Sequence, residues 1–238
     1  MRKYSVLTIV IVVVALAATP AMADTLDVNP TAAMNGSNYG LEVLHDNSSF
    51  AYVQDDTPDG ESVYRFSFIY NPLALGSSGN GTPWAMTIFG AMGTNPRPAS
   101  ATACPQAAHI PVFPLRVFAR YGGPGLTIPG VRLTVMSNFC GVVGSPVIYW
   151  TENVPKKICG FLEASTPLSA GIAVVDPGVS CPAAGDPAYA LVPAVANNDE
   201  HAVDFCRLGN LAVNPYGAGE NGSFYVDEFE SYRTLAAP

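Results

Sequence analysis

The sequence predicts an all-β protein, two packed antiparallel sheets in a single domain, and three observations predict it. Apolar and polar residues alternate with a period of two in several short runs, the mark of a pleated strand with distinct faces. Gly and Pro, 22 and 21 in number, recur along the chain and leave little room for a long uninterrupted helix. Many short strands separated by frequent turns satisfy their apolar faces by packing sheet on sheet.

The first residues read as a targeting segment rather than as part of the fold. Arg2 and Lys3 form a basic start, Val6 to Ala18 is apolar apart from Thr8, and Ala21-Met22-Ala23 offers small residues at a processing site. Residues 1–23 are therefore expected to be a cleaved signal peptide, with export to a periplasm or the medium. The apolar run is shorter than the about 20 residues a membrane-crossing helix needs, and no second such run follows, so no membrane span is expected. Asp24 rather than a lipid-accepting Cys stands at the cleavage point, and the tail from Leu235 to Pro238 carries no hydrophobic anchor.

Residues 24–238 are expected to form one β-sandwich domain, because no linker-like stretch divides them. This portion carries nine Lys and Arg against nineteen Asp and Glu, which repels phosphate backbones and makes nucleic acid a poor partner. A monomer is expected.

Strand-like runs follow in order. Tyr39, Leu41 and Val43 alternate with Gly40 and Glu42, and Tyr64, Phe66, Phe68 and Tyr70 alternate with Val63, Arg65, Ser67 and Ile69. Further runs are Trp84 to Phe89, Leu115 to Tyr121, Val131 to Met136, Val147 to Trp150, Ile158 to Glu163, Ile172 to Val175, Ala202 to Leu208 and Ser223 to Tyr232. Gly90 to Pro111 and Pro177 to Ala196 read as long loops, which in a compact domain are either functional or tied down. Cys104 and Cys181 lie in them and suit the second reading.

The five cysteines, Cys104, Cys140, Cys159, Cys181 and Cys206, all lie in the exported portion, where disulfides persist. No pair has the two-residue spacing of a zinc or redox motif, so structural bridges are expected, with one thiol left over. Sequence proximity favours Cys181 with Cys206 and Cys140 with Cys159, although spacing alone does not select a pairing.

Several groupings bear on chemistry. The turn Asp55-Asp56-Thr57-Pro58-Asp59-Gly60-Glu61 gathers four carboxylates in one short loop, as a hard cation requires, but Thr57 and Phe66 break the spacing of a helix-loop-helix calcium site. A solvated turn shaped by Pro58 and Gly60 is the first reading, and a calcium ion the second. Regular alternation from Ser223 places Asp227 with Tyr225 and Phe229 and places Glu228 with Phe224 and Val226. One carboxylate must then approach an apolar layer, or a bulge must intervene. Arg65 or Arg207 is the expected partner of Asp227, with a cation as the alternative. No cofactor is expected; the alternative is a structural calcium, with Asp55, Asp56, Asp59 and Asp227 as its candidate ligands.

Catalytic signals are weak. Gly217-Ala218-Gly219-Glu220-Asn221-Gly222 has the spacing of a dinucleotide loop but leads into a strand, so it reads as a hairpin connection. His45, His109 and His201 lie in no diagnostic motif, and Gly76-Ser77-Ser78-Gly79 lacks the spacing of a nucleophile elbow. Asp227, Glu228 and Glu230 could supply a glycosidase pair, yet Asp227 and Glu230 fall on opposite faces of a regular strand. Trp84 and Trp150 sit in apolar runs that read as core, while the 11 Tyr make sugar stacking feasible.

Two segments resemble secreted bacterial proteins with the concanavalin A-like lectin/glucanase jelly roll. The first runs from Met34-Asn35-Gly36-Ser37-Asn38-Tyr39-Gly40-Leu41-Glu42-Val43 through the acidic turn to Tyr64-Arg65-Phe66. The second runs from Asn197-Asn198-Asp199 through Val203-Asp204-Phe205 and Arg207-Leu208-Gly209 to the strand Phe224 to Arg233. The resemblance implies a two-sheet jelly roll with its first and last strands side by side. It implies no catalytic set, since the ordered Glu, Asp and Glu of the glucanases are missing from one strand here. The functional expectation is a non-enzymatic exported module that binds a carbohydrate or cell-surface ligand. A polysaccharide hydrolase or lyase using strand-borne carboxylates, and a structural interaction protein, are the alternatives.

Overall fold

The structure, a computed structural model, describes residues 25–45, 49–73, 85–93, 112–121, 128–137, 141–150, 154–194, 197–199, 201–211 and 222–235. The expected signal peptide, Trp84, Cys104, His109, Cys140 and most of the 90–111 stretch lie outside the described residues. The chain forms β1 (Thr25–Asn29), a 3-10 turn (Pro30–Ala32), β2 (Gly40–His45), β3 (Ala51–Asp55), β4 (Val63–Asn71) and β5 (Ala85–Gly93). It continues through β6 (Val112–Tyr121), β7 (Pro129–Met136), β8 (Val142–Gly144), β9 (Ile148–Tyr149) and β10 (Lys156–Glu163). It ends with β11 (Ser169–Val175), β12 (Ala190–Leu191), β13 (Phe205–Asn210) and β14 (Gly222–Tyr232).

These strands build two antiparallel sheets of seven strands each and no α-helix among the described residues, as the jelly-roll expectation requires. The first sheet runs β1-β2-β14-β4-β10-β11-β12, and the second runs β3-β13-β5-β6-β7-β8 with β9 also paired to β7. Strand β2 pairs with β14 along Val43 and Phe224, so the two ends of the chain meet in one sheet. The expected runs become β2, β4, β5, β6, β7, β9, β10, β11, β13 and β14. Strands β1, β3, β8 and β12 were not expected; all four are five residues or fewer.

Period-two alternation on β4 aims Tyr64, Phe66, Phe68 and Tyr70 between the sheets, where all are buried. Phe66 stacks on Phe89 of the opposite sheet with ring centroids 4.2 Å apart, and Tyr70 meets Phe224 and Trp150 edge-on. Trp150 is a core residue, as expected. The Phe66 ring also lies over Gly160, its cross-strand neighbour on β10, where a Cβ would come within 2.2 Å of it.

Strand β14 is not regular. Asp227 pairs with Ile69 and Glu230 with Ser67, so three residues of β14 span two of β4, and Glu228 takes a left-handed φ of 48° in the bulge. The bulge resolves the conflict in the sequence. Phe224, Val226 and then Phe229 face the core, while Asp227 and Glu230 share the outer face instead of lying on opposite faces.

The outer face of β4 is covered as well. Arg65 and Ser67 are each 2% exposed, and Cys159, Phe161, Ala173 and Tyr189 form a second small apolar cluster with Cys181 and Ala184 packed against it. Here the expected pairing of cysteines is corrected: Cys159 bonds to Cys181, with Cα atoms 5.7 Å apart, and Cys206 is a buried free thiol. The reason is facial. Cys159 points outward from β10 beneath the 177–189 segment, whereas Cys206 points between the sheets into the main core, out of reach of Cys181. The described part of the expected loop, residues 177–194, is thus tied down by the disulfide and by the pairing of β12 with β11.

Candidate functional site

The carboxylates singled out in the sequence do not converge. Asp55 accepts a hydrogen bond from the Thr57 N–H at 2.9 Å, and Asp56 accepts one from the Gln54 amide at 2.6 Å. Asp59 is exposed, while the Gly60 N–H donates to Asp204. Arg233 bridges Glu61 at 3.4 Å and Thr57 at 2.8 Å, pinning the turn. Among the described residues no three His, Cys, Asp or Glu side chains gather as a metal-ligand group.

Asp227 is partnered neither by Arg65 nor by Arg207. Its carboxylate accepts the N–H of Met34 at 2.7 Å, the hydroxyl of Ser37 at 2.5 Å and the N–H of Glu228 at 2.8 Å. The physical reason is distance along the strand: Asp227 faces Ile69, and Arg65 lies four residues away on β4, about 13 Å at strand rise. Arg207 belongs to the other sheet. Asp227 therefore anchors the turn that precedes β2, and Glu228 in the bulge accepts from the Asn35 amide. Of the histidines, His45 and His201 are both buried, bonded to the Asn210 amide and the Ser137 carbonyl.

A second arrangement emerges from strand register rather than from any motif. Charge is segregated between the sheets. The strands of the second sheet carry Arg116, Arg120, Arg132 and Arg207 against one carboxylate, Asp55. Those of the first carry Asp27, Glu42, Glu163, Asp227, Glu228 and Glu230 against Arg65, Lys156 and Lys157. In a chain of net charge −8, the second sheet is a local reversal of sign.

Two of its arginines share a row, with a third beside it. Cys206, Leu208, Phe89, Ala91, Leu115, Val117, Leu133 and Val135 all face the core, so the residues between them face outward. Cross-strand pairing places Gln54, Arg207, Gly90, Arg116, Thr134 and Gly144 in one transverse row across six strands. Arg207 and Arg116 are two strands apart in it, about 10 Å at the usual strand spacing. Arg132 sits beside the row, opposite Phe118.

Aromatic rings hold these guanidinium groups. Arg207 lies over Tyr52 at 4.3 Å and Phe205 at 5.2 Å from the ring centroids, and donates to the Gln54 carbonyl at 2.7 Å. Arg116 lies over Phe113 at 5.2 Å and Phe118 at 5.3 Å. Such contacts contribute about 0.5–1 kcal/mol each at exposed sites and fix the planar groups in place. Arg132 donates from Nε to the Ser145 carbonyl at 3.0 Å and lies over Gly144, where a Cβ would meet it at 2.5 Å. Gly90 likewise leaves room for the Phe113 ring. Arg116, Phe118, Arg132, Arg207 and Tyr52 are all half-buried, so their outer edges face solvent. Arginine planes and ring faces beside one another suit a ligand that carries both carboxylates and the apolar faces of sugar rings.

The sequence held part of this signal. Arg116, Arg132 and Arg207 occupy outward positions in runs already expected to be strands. What brings Arg207 and Arg116 into one row, with Arg132 beside it, is the pairing of β13 with β5, of β5 with β6 and of β6 with β7, which no local pattern encodes.

No family model matches the chain, and no curated protein matches it. Among solved structures it is similar to the cellulose induced protein Cip1, at 11% identity over 89% of this chain and 87% of that one, with a TM-score of 0.44. It is also similar to the globular domain of T. cruzi calreticulin, at 11% identity over 87% and 79% of the two chains, with a TM-score of 0.40. For the alginate lyase Aly36B the figures are 10%, 81% and 80%, with a TM-score of 0.38. Likeness at these scores assigns neither a family nor an activity, and the two-sheet fold rests on the strand pairing itself.

Proposed function

We propose that this chain is an exported, non-enzymatic module that binds an acidic polysaccharide across the outer face of its second sheet. The observation that carries the reading is the transverse row with Arg207 and Arg116, stacked on aromatic rings, on a sheet whose strands hold four arginines and one carboxylate. The acidic remainder of the molecule repels a polyanion, so attraction is confined to that face. A chain lying across the strands would meet a cation at about every second strand, with rings between for its sugar faces.

Affinity electrophoresis of the whole protein in gels containing polygalacturonate or a neutral β-glucan tests this. The protein should be retarded by polygalacturonate only, and less so as salt screens the arginines. Arg116→Ala and Arg207→Ala should each weaken retention about tenfold, the equivalent of a charged hydrogen bond of about 1.5 kcal/mol. Equal retardation by the neutral glucan, equal binding of single-stranded RNA, or variants that bind like the parent would overturn the reading.

A further inference from the structure

The outer face of the first sheet carries a separate, partly enclosed feature. Two transverse rows cross it, Glu230-Ser67-Cys159 and Tyr232-Arg65-Phe161, and the 177–189 segment arches over them. That arch is fastened twice. The disulfide ties Cys181 to Cys159, and the Arg65 guanidinium donates to the carbonyls of Pro182 at 2.8 Å and Cys181 at 3.3 Å. Beneath its edge lies a cavity of about 230 Å³, lined in part by Arg65, Ser67, Lys157, Glu230 and Tyr232.

The charges there run against those of their sheet. Arg65 and Lys157 line the cavity beside Glu230, two cations on a sheet whose strands carry mostly carboxylates. Lys157 Nζ stands 3.8 Å from Glu230, which also accepts from Ser67 Oγ at 3.3 Å. Burial, and then its hydrogen bond to the Glu230 carboxylate, raises the pKa of Tyr232. The volume is below the range of about 300–1,000 Å³ that holds drug-sized ligands and suits one small ring.

From this geometry we infer that the cavity is a second binding site for one small hydroxylated monocarboxylate, the class of free sugar acids. Lys157 and the Arg65 charge receive the carboxylate, while Glu230, and the Ser67 and Tyr232 oxygens whose protons are directed at it, accept from the ligand's hydroxyls. The site does not depend on the polysaccharide reading, since it lies on the other sheet and uses different residues.

Titration calorimetry of the whole protein with glucuronate, glucose and acetate separates the terms. Glucuronate should bind at millimolar concentration or tighter, while glucose and acetate, each lacking one half of the chemistry, should bind at least tenfold more weakly. Lys157→Ala should abolish glucuronate binding while leaving polygalacturonate retardation unchanged. Glu230→Gln should bring glucuronate and acetate closer together by removing the hydroxyl acceptor's charge. The pair Cys159→Ala and Cys181→Ala should weaken binding by releasing the arch. No heat with glucuronate, equal binding of acetate or glucose, or a Lys157→Ala variant that binds like the parent would overturn the inference.

Discussion

Replacing Asp227 by Asn changes one oxygen to an amide nitrogen and removes the charge at the point where β14 meets the turn before β2. Three donors converge on that carboxylate: the Met34 N–H, the Ser37 hydroxyl and the Glu228 N–H. An Asn side chain retains a single acceptor oxygen and turns its NH₂ toward a donor, so at least one hydrogen bond is lost and the rest weaken. Bonds to a charged group contribute about 1.5–3 kcal/mol each, which places the expected loss at about 2–3 kcal/mol for this half-buried site. For a domain of this length that corresponds to a fall of about 4–12 °C in melting temperature. Calorimetric or circular-dichroism melts would measure it, and Ser37→Ala should lose less when made on the Asp227→Asn background than alone. Asp227 lies on the first sheet, so retardation by polygalacturonate should persist. An unchanged melting temperature, or energies of the two substitutions that simply add, would refute the assignment of Asp227 as the anchor of this turn.

Gly160→Ala would drive a methyl into the Phe66 ring, which cannot retreat because it is stacked on Phe89. Destabilisation of about 1–3 kcal/mol is expected in urea titrations, and a variant as stable as the parent would contradict the packing. The Cys206 thiol is pushed up to about 11, by burial first and by the nearby Asp55 carboxylate in addition. The folded state therefore holds a proton that the unfolded chain releases near 9.0, so stability should be level below that pH and fall as pH rises toward 11. Cys206→Ala should flatten part of that slope. Tyr64, its buried neighbour, is also raised by burial and adds loss of the same sign at higher pH.

The parts of the fold that depend on local alternation were legible. Tyr64 to Tyr70 announces a strand because every second residue is a large aromatic, and those rings are the centre of the core. The conflict at Asp227 and Glu228 was visible too, as a carboxylate that regular pleating would force inward. Its resolution by the bulge at Glu228 was one of two outcomes the pattern allowed. The partner of Asp227 was not legible, because a backbone N–H and a serine 190 or more positions away carry no charge signal. The disulfide was misread for a related reason. Proximity in sequence favoured Cys140–Cys159 and Cys181–Cys206, but the face on which a thiol lies decides reach, and of the three described cysteines Cys159 and Cys181 share one while Cys206 faces the main core.

The row of arginines shows the same limit from the side of function. Each lies at an outward position that alternation could give, yet Arg116 and Arg207 are 91 residues apart and become neighbours only through β5. Short elements such as β3, which contributes Tyr52 and Gln54 to that face, lacked enough residues for a period to register.

Backbone amide NMR during titration with oligogalacturonate tests the central claim most directly. Shifts concentrated on Tyr52, Gln54, Gly90, Arg116, Thr134 and Arg207, and reduced by Arg116→Ala with Arg207→Ala, are the predicted result. An unperturbed second sheet, whether because nothing binds or because the shifts fall on the first sheet alone, would contradict it.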